Sequence, residues 1–210
     1  VVPAFSTIVG LAYAVFVDKA RGERFLKALV FMPMAISLVG ASIIWKFVYQ
    51  YKQTSRPQIG LLNAILKFFG FETQQFLINA PLNTFMLIIV MVWIQAGFAM
   101  TVLSAAIKAI PDEIIEAAKL DGVMAFKMFR YITLPSIRPA LVVVVTTIGI
   151  GTLKVFDIVR TMTGGQFDTS VVANEFYSQS FRFNAPGLGA SRAVLLFILV
   201  IPIVTYNIIQ

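Results

Sequence analysis

The stretch Glu116-Ala-Ala-Lys-Leu-Asp-Gly-Val-Met-Ala-Phe-Lys-Met-Phe-Arg-Tyr-Ile-Thr-Leu-Pro135 is a polar break between two long apolar segments. Pro111, just before it, suits the first turn of a helix, where a missing N–H costs nothing. Acidic side chains follow at 112, 113 and 116, the end of a helix that its dipole favours for them. Gly122 suits the left-handed residue that ends a helix. We therefore predict a helix of about 11 residues, roughly 16 Å long.

A second amphipathic piece follows Gly122. Its apolar residues recur at every third position: Val123, Phe126, Phe129 and Ile132. Pro135 and Pro139 are then expected to end or kink the chain that continues from it. The stretch therefore predicts a short helix, a sharp turn and a return helix within residues 111–135.

The composition of the 210-residue chain is that of a membrane protein. Hydrophobic residues make up 59% of it, charged residues only 13%, and the mean hydropathy is +0.86. A soluble domain carries about 25% charged residues. Because a lipid-exposed backbone must satisfy its own hydrogen bonds, we predict an all-α, polytopic transmembrane helical bundle. The net charge of +7 is ascribed to lysines and arginines of cytoplasmic loops, and no nucleic-acid partner is expected.

The sequence lacks the residues of most catalytic and metal sites. It has no cysteine and no histidine, which excludes thiol nucleophiles, Ser-His-Asp triads and most zinc or haem ligation. It has no Gly-x4-Gly-Lys-Ser/Thr phosphate loop, so it is not expected to bind ATP in that manner. We predict a non-catalytic chain with no resident metal or cofactor.

Five apolar spans are predicted, and a sixth is expected before Val1. The five cover residues 1–17, 28–49, 82–107, 137–160 and 193–209. Pro33 is expected to kink the second span, and Pro202 lies inside the fifth. Residues 50–81 and 161–192 are predicted to be long extracytoplasmic loops, the first with an amphipathic surface helix at 59–69.

The distribution of basic residues predicts the orientation. Residues 18–27 carry four lysines and arginines and residues 108–138 carry five, whereas the longer segments 46–84 and 160–192 carry four and three. Cytoplasmic loops are enriched in lysine and arginine. The stretch that begins at Glu116 is therefore placed in the cytoplasm, and the two long loops outside.

Two groups of residues at membrane depth are candidates for a translocation pathway. Lys154 and Asp157, three positions apart in the fourth span, share a helix face and either pair with each other or line a polar route. Trp93, Gln95 and Phe98 in the third span either bind a sugar, with rings on its apolar face and the amide on its hydroxyls, or pack between helices. The residues alone leave both pairs of alternatives open.

The spacing within the opening stretch resembles a known family. Glu116-Ala117-Ala118, three residues, Gly122, nine residues and Ile132-Thr133-Leu134-Pro135 form the pattern EAA-x3-G-x9-I-x-L-P. This closely resembles the membrane-spanning permease subunits of bacterial ABC importers that use a binding protein. The segments FLKALVFMPMAISLVGASIIWKFVY and KVFDIVRTMTGG extend the likeness, with Gln166 where the family often has proline. The pattern is nearest to the sugar-importing branch, and to permeases such as the larger one of the maltose importer and those for α-glucosides, trehalose, sucrose or glucosylglycerol.

The resemblance implies a fold, partners and a location. It implies a single type I importer permease domain over residues 1–210 in the bacterial cytoplasmic (inner) membrane. Its partners would be a second permease subunit, two ATP-binding subunits that hold the ATP and Mg, an extracytoplasmic sugar-binding protein that contacts residues 164–192, and the sugar. Asp168, Asn174, Tyr177 and Arg182 are candidates for that contact.

The resemblance also implies the site residues. Those that couple the chain to the ATPase would be Ile115, Glu116, Ala117, Ala118, Lys119, Leu120, Asp121 and Gly122, with Ile115 and Leu120 as apolar anchors and the two alanines allowing close approach. The sugar pocket is carried over onto Ile94, Gln95, Phe98, Gly151, Thr152 and Val155. With Trp93, Lys154 and Asp157 these form the predicted substrate pathway. The alternative function is an ion-coupled secondary transporter, which would need intramembrane carboxylates such as Asp157.

Overall fold

The structure is a computed structural model that describes residues 1–18, 20–53 and 57–209. Lys19 and Arg56, two of the basic residues counted for the orientation, lie outside the described residues. Within those ranges the chain forms helices and no strand, so the predicted all-α class is confirmed.

Twelve α-helices follow one another in the described chain. The first six are α1 (Val2–Val17), α2 (Glu23–Phe31), α3 (Leu38–Val48), α4 (Leu61–Phe68), α5 (Leu82–Lys108) and α6 (Asp112–Leu120). The others are α7 (Ala125–Met128), α8 (Leu134–Ser136), α9 (Arg138–Leu153), α10 (Asp157–Met162), α11 (Val172–Tyr177) and α12 (Pro186–Ile209). A 3₁₀ turn spans Met32–Ala35, and π-helical turns span Phe129–Thr133 and Ser178–Arg182.

The chain forms two compact units. The first contains residues 1–34, 92–150 and 203–210, and the second contains residues 35–91 and 151–202. In the first unit the helices approach closely at small residues. A Cβ on Gly10 of α1 would lie 2.4 Å from the Ala99 Cβ of α5, and one on Gly97 would lie 2.7 Å from the Val30 carbonyl oxygen. Small residues at such crossings are typical of membrane helices, since they let backbones touch.

The second unit is held by buried polar contacts. Asn63 of α4 has no exposed surface and bonds the backbone on both sides of its helix. The Tyr49 hydroxyl donates to the Met86 carbonyl oxygen at 3.2 Å, and Asn83 donates to the Phe167 carbonyl oxygen at 2.6 Å. Helices α3 and α10 pack against each other. These contacts fix α4, the start of α5 and the 161–169 segment.

Helices long and apolar enough to cross a membrane coincide with the predicted spans. Among the described residues these are α5 and Pro186–Thr205 of α12, and two broken pairs, Glu23–Ala35 with Leu38–Val48 and Ala125–Ser136 with Arg138–Leu153, would each add one. Helix α1 is apolar but shorter. The predicted surface helix at 59–69 is observed as α4, and Pro202 lies inside α12 as expected.

Three predicted element boundaries were wrong. The second span begins at Glu23 and is broken: Pro33 lies in the 3₁₀ turn, and α3 restarts where the Ser37 hydroxyl accepts the Gly40 N–H at 3.1 Å. The fourth span ends at Leu153 rather than 160, and α10 starts anew at Asp157. Much of the predicted loop at 161–192 is helical, because α11 lies inside it and α12 begins at Pro186.

Candidate functional site

Helix α6 is the short helix that the opening stretch predicts, and it has nine residues rather than about 11. Pro111 precedes it as the N-cap with ψ 136°, and Asp112 and Glu113 occupy its first turn. At the other end Gly122 has φ +74°. Its N–H bonds the Lys119 carbonyl at 3.0 Å, and the Val123 N–H bonds the Ala118 carbonyl at 3.0 Å. These two bonds form a Schellman motif, which satisfies the last carbonyls and fixes the direction of the exit.

One face of α6 is open. Glu113, Glu116 and Leu120 are exposed and lie three or four residues apart, so they share a face. Leu120 is 89% exposed, whereas Ala118 is 6% exposed and faces the other way. The helix therefore presents two carboxylates and an apolar tip to the outside.

The predicted coupling residues divide between this face and the interior. Those that are exposed are Glu116, Ala117, Lys119, Leu120, Asp121 and Gly122. Ile115 is half-buried, so of the two expected apolar anchors Leu120 is the more available. Of the two alanines expected to allow close approach, only Ala117 remains exposed. Ile114, 47% exposed, was not singled out from the sequence.

The return segment extends the exposed surface. Helix α7, the π turn and α8 run end to end, and they meet α9 at a bend of 67° around Ile137, between the two prolines expected to kink the chain. Met124, Phe126 and Tyr131 are 77%, 78% and 72% exposed. Large apolar side chains this open beside charged ones are typical of a surface that another subunit covers.

The sequence did not reveal a cluster of charges at the end of α5, just before α6. The Lys27 ammonium lies 2.6 Å from an Asp18 carboxylate oxygen and donates to the Ser104 hydroxyl at 2.5 Å, and that hydroxyl donates to Asp18 at 2.8 Å. Glu23 pairs with Lys27 at 2.8 Å and also with Lys108, the last residue of α5. The cluster ties the turn after α1 to the end of α5, four residues before α6. No sequence signal shows it, because Asp18 and Ser104 are 86 positions apart.

The predicted pathway residues of α5 lie in the first unit. Ile94 is 5% exposed and packs inside the chain, whereas Trp93, Gln95 and Phe98 are half-buried. Gln95 and Phe98 lie three residues apart and therefore neighbour each other on the helix surface. An amide beside an aromatic ring is a pair that can bind a hydroxyl and an apolar sugar face.

The other predicted pathway residues lie in the second unit, around the break after α9. Gly151 and Thr152 belong to the last turn of α9, Lys154 and Val155 to the break, and Asp157 to the first turn of α10. The expectation that Lys154 and Asp157 share one helix face was wrong, because α9 ends at Leu153 and α10 begins at Asp157. The ion pairs of the described residues do not include this pair. Lys154 instead lines a cavity of about 360 Å³ with Phe176.

The candidates for an external contact differ in exposure. Asp168 and Arg182 are exposed. Tyr177 is half-buried under the Arg160 guanidinium, which lies 4.7 Å from its ring centre. Asn174 is 2% exposed and donates to the Ser170 hydroxyl at 3.3 Å, so it serves the loop's own structure. No group of three metal-ligating side chains occurs within the described ranges.

Comparison with known proteins gives close relatives. The chain is 47% identical over 207 residues to the osmoprotective compounds uptake permease protein GgtC of Synechocystis, covering 99% of this chain and 74% of that protein. It is 48% identical to the alpha-glucoside transport system permease protein AglF of Rhizobium meliloti, covering 99% and 62%. It is 31% identical to the trehalose/maltose permease MalF of Thermococcus litoralis, covering 94% and 66%. The chain thus spans roughly two thirds of the length of these relatives.

Solved structures share the fold. A bacterial ABC transporter that imports the acidic polysaccharide alginate superposes with a TM-score of 0.83 at 20% identity, over 98% of this chain and 74% of that one. The MetNI methionine ABC transporter superposes with a TM-score of 0.67 at 19% identity. Residues 6–210 match the family described as the binding-protein-dependent transport system inner membrane component. The chain belongs to that family, and is a multi-pass inner-membrane permease with the ABC-importer fold.

Proposed function

We propose that this chain is one permease subunit of an ATP-driven importer for an uncharged glucoside, such as an α-glucoside, trehalose, sucrose or glucosylglycerol. Its partners would be a second permease, two ATPase subunits and an extracytoplasmic binding protein. The relatives named for osmoprotective compounds and alpha-glucosides, at 47% and 48% identity, support this substrate class. Membership of a binding-protein-dependent family argues against the ion-coupled alternative.

The observation that carries the coupling proposal is the open face of α6 with its fixed end. Glu116 and Leu120 point away from the chain's own interior and are free to enter a cleft on an ATPase subunit. The Schellman motif at Gly122 makes the helix and its exit one rigid piece. The charge cluster at Asp18 and Lys108 anchors the other end. Closure of the ATPase dimer would then move the helix as a rigid body, and the spans with it.

Replacement of Gly122 tests this coupling. Nothing lies within 4 Å of a Cβ at Gly122, so Gly122→Ala acts only through its left-handed backbone, at a cost of about 1–2 kcal/mol. In the assembled complex in proteoliposomes we expect ATP hydrolysis stimulated by the loaded binding protein to fall roughly fivefold or more. Glu116→Lys should reduce it further, by placing a cation where the partner holds one.

Gly70→Ala is the matched control. Gly70 has φ +77° and equally open space, so it carries the same backbone cost at a site away from α6. We expect it to leave stimulated hydrolysis unchanged. Co-purification of the ATPase subunits with each variant separates lost assembly from lost coupling. Normal stimulation of ATP hydrolysis in both Gly122→Ala and Glu116→Lys would contradict the proposal.

A further inference from the structure

Two adjoining cavities in the second unit differ in chemistry. One, of about 420 Å³, is lined mainly by apolar side chains, including Ile43, Phe47 and Phe76. The other, of about 650 Å³, is lined by the three cations Lys46, Arg160 and Arg182 and by residues 161–164, 166 and 167. They share Lys46, Leu77 and Ile78. An apolar compartment and a cationic compartment therefore meet along one wall.

The cationic cavity is not neutralised by the chain. No aspartate or glutamate is among its lining residues. The ion pairs of the described residues all involve Lys27 or Lys108 and none involves its three cations. The Lys46 ammonium donates to the Thr161 carbonyl at 3.2 Å, and the Arg160 guanidinium stacks on Tyr177. These contacts orient two of the three positive charges, and among the described residues no carboxylate lies within ion-pair distance of the three cations, so the cavity favours an anion.

Exposed aromatic and apolar side chains lie near the two cavities, a pattern typical of a membrane–water interface. Phe181 and Phe183, on either side of Arg182 in the chain, are 70% and 65% exposed. Aromatic residues are enriched at that level of the bilayer. Ile43 and Phe47, which line the apolar cavity, are 46% and 65% exposed. An occupant that reaches both cavities would thus carry an anionic head and an apolar chain.

We propose that the two cavities together bind one anionic phospholipid, its phosphate between Lys46, Arg160 and Arg182 and an acyl chain against Ile43 and Phe47. Arginine and lysine recognise phosphate by charge-assisted hydrogen bonds, and basic pockets between membrane helices bind such head groups. An uncharged sugar would leave the three cations unpaired. A soluble anion would leave the apolar cavity empty.

Lipid binding to the complete detergent-purified complex tests the proposal. The complex is titrated with phosphatidylglycerol and with phosphatidylcholine, and the bound lipid is counted by native mass spectrometry. We expect phosphatidylglycerol to bind more tightly. In the double variant Arg160→Gln/Arg182→Gln that preference should fall about thirtyfold, since each basic residue near a lipid head group is worth roughly fivefold in affinity. Phe47→Ser should weaken the binding of both lipids.

Two controls accompany these variants. Arg192→Gln removes the same charge from the second unit outside both cavities, where the guanidinium donates to the Leu188 carbonyl of its own helix. It should bind phosphatidylglycerol like the unaltered complex. Arg160→Lys/Arg182→Lys keeps the charges and should keep most of the preference, which shows that a loss in the glutamine variant is not misfolding.

Three results would overturn the proposal. One is an unchanged lipid preference in Arg160→Gln/Arg182→Gln. Another is full displacement of phosphatidylglycerol by glycerol phosphate at matched concentration, which would assign the site to a soluble anion. The third is a double variant Arg160→Gln/Arg182→Gln that binds lipid as before but binds the binding protein more weakly. That result would assign the cations to an acidic surface of the binding protein.

Discussion

Asn63 holds the two ends of the segment around α4. Its amide nitrogen donates to the Gln50 carbonyl at 3.0 Å and to the Gln74 carbonyl at 3.1 Å, and its amide oxygen accepts the Gln74 N–H at 2.8 Å. The side chain has no exposed surface. One buried amide therefore bonds three backbone groups of Gln50 and Gln74, two residues that lie outside the helices.

Truncation of this amide is expected to loosen the segment. Asn63→Ala removes the bonds of three partly buried backbone groups, each bond worth about 1 kcal/mol net, so we expect a local cost of about 2–4 kcal/mol. Hydrogen exchange followed by mass spectrometry should show faster exchange in residues 59–75. Asn79→Ala is the control, since Asn79 is exposed. Equal exchange in the two variants would contradict the role of Asn63.

Gln95 carries a second prediction at this scale. As the polar member of the amide–aromatic pair on α5, it is expected to bond a substrate hydroxyl. Gln95→Leu should raise the KM for uptake about tenfold, the value of one to two hydrogen bonds, with ATP hydrolysis stimulated by the binding protein retained. Thr101→Val, which removes a hydroxyl that donates to the Gly97 carbonyl of the same helix, should leave the KM unchanged. A KM that moves equally in both would assign Gln95 to packing.

Single residues also show which features a sequence can reveal. Gly122 was predicted as the end of α6, because a glycine after an acidic-to-basic helix pattern has few other roles. The bonds of Asn63 and Asp18 were not predictable. They depend on which distant backbone or side chain is brought near, and an isolated asparagine or aspartate has the same appearance in an exposed loop.

At the scale of elements, apolar periodicity located the spans but not their breaks. The run from 137 to 160 is apolar on both sides of Lys154, so the pattern continues where the helix does not. Phe156, with φ −130° and ψ −55°, leaves the helical conformation just before α10 begins. The expectation that Lys154 and Asp157 share one helix face was therefore wrong, since it assumed one unbroken helix.

The crossing of α1 and α5 gives a prediction about packing. A methyl group at Gly10 would lie 2.4 Å from the Ala99 Cβ and 2.8 Å from the Met100 nitrogen. Gly10→Ala must therefore push the helices apart, and overpacking of this kind costs about 1–3 kcal/mol. We expect a lower Tm for the purified complex. Ala99→Gly in the same chain removes the contact with the Ala99 Cβ and should restore the Tm. The restoration is only partial, because the contact with the Met100 nitrogen remains.

The control for this crossing is Gly187→Ala. Gly187 lies in the first turn of α12 with nothing within 4 Å of its Cβ position. Alanine there should leave the Tm unchanged or raise it slightly, since it restricts the unfolded chain. If the Gly10→Ala complex had the same Tm as the Gly187→Ala complex, α1 and α5 would not touch at this point.

At the scale of the whole molecule, much of the apolar surface is uncovered by the chain itself. In the most apolar window of α12 only 11% of residues are buried, and Phe197, Ile198 and Ile201 are 66%, 63% and 57% exposed. A water-soluble protein rarely exposes so large a continuous apolar surface. Lipid and the second permease are the partners proposed to cover it.

The absence of cysteine gives a direct test of how the whole chain is oriented. Each introduced cysteine is the chain's single thiol, so it can be labelled without background. Phe68 of α4 is 84% exposed and predicted to lie outside, and Leu120 of α6 is 89% exposed and predicted to lie in the cytoplasm. With a membrane-impermeant maleimide on intact spheroplasts of cells that lack the ATPase subunits, which would otherwise cover Leu120, Phe68→Cys should react and Leu120→Cys should react only after the membrane is opened.

Val90→Cys completes this experiment, because Val90 has no exposed surface and should stay unlabelled on both sides until the protein is denatured. Labelling of Leu120→Cys in intact spheroplasts would show that the orientation is the opposite of the predicted one. Helix α6 would then face away from any cytoplasmic ATPase, and the coupling role proposed for it would fall with the topology. Labelling only after opening would leave Glu116 and Leu120 on the side where ATP is hydrolysed, as that role requires.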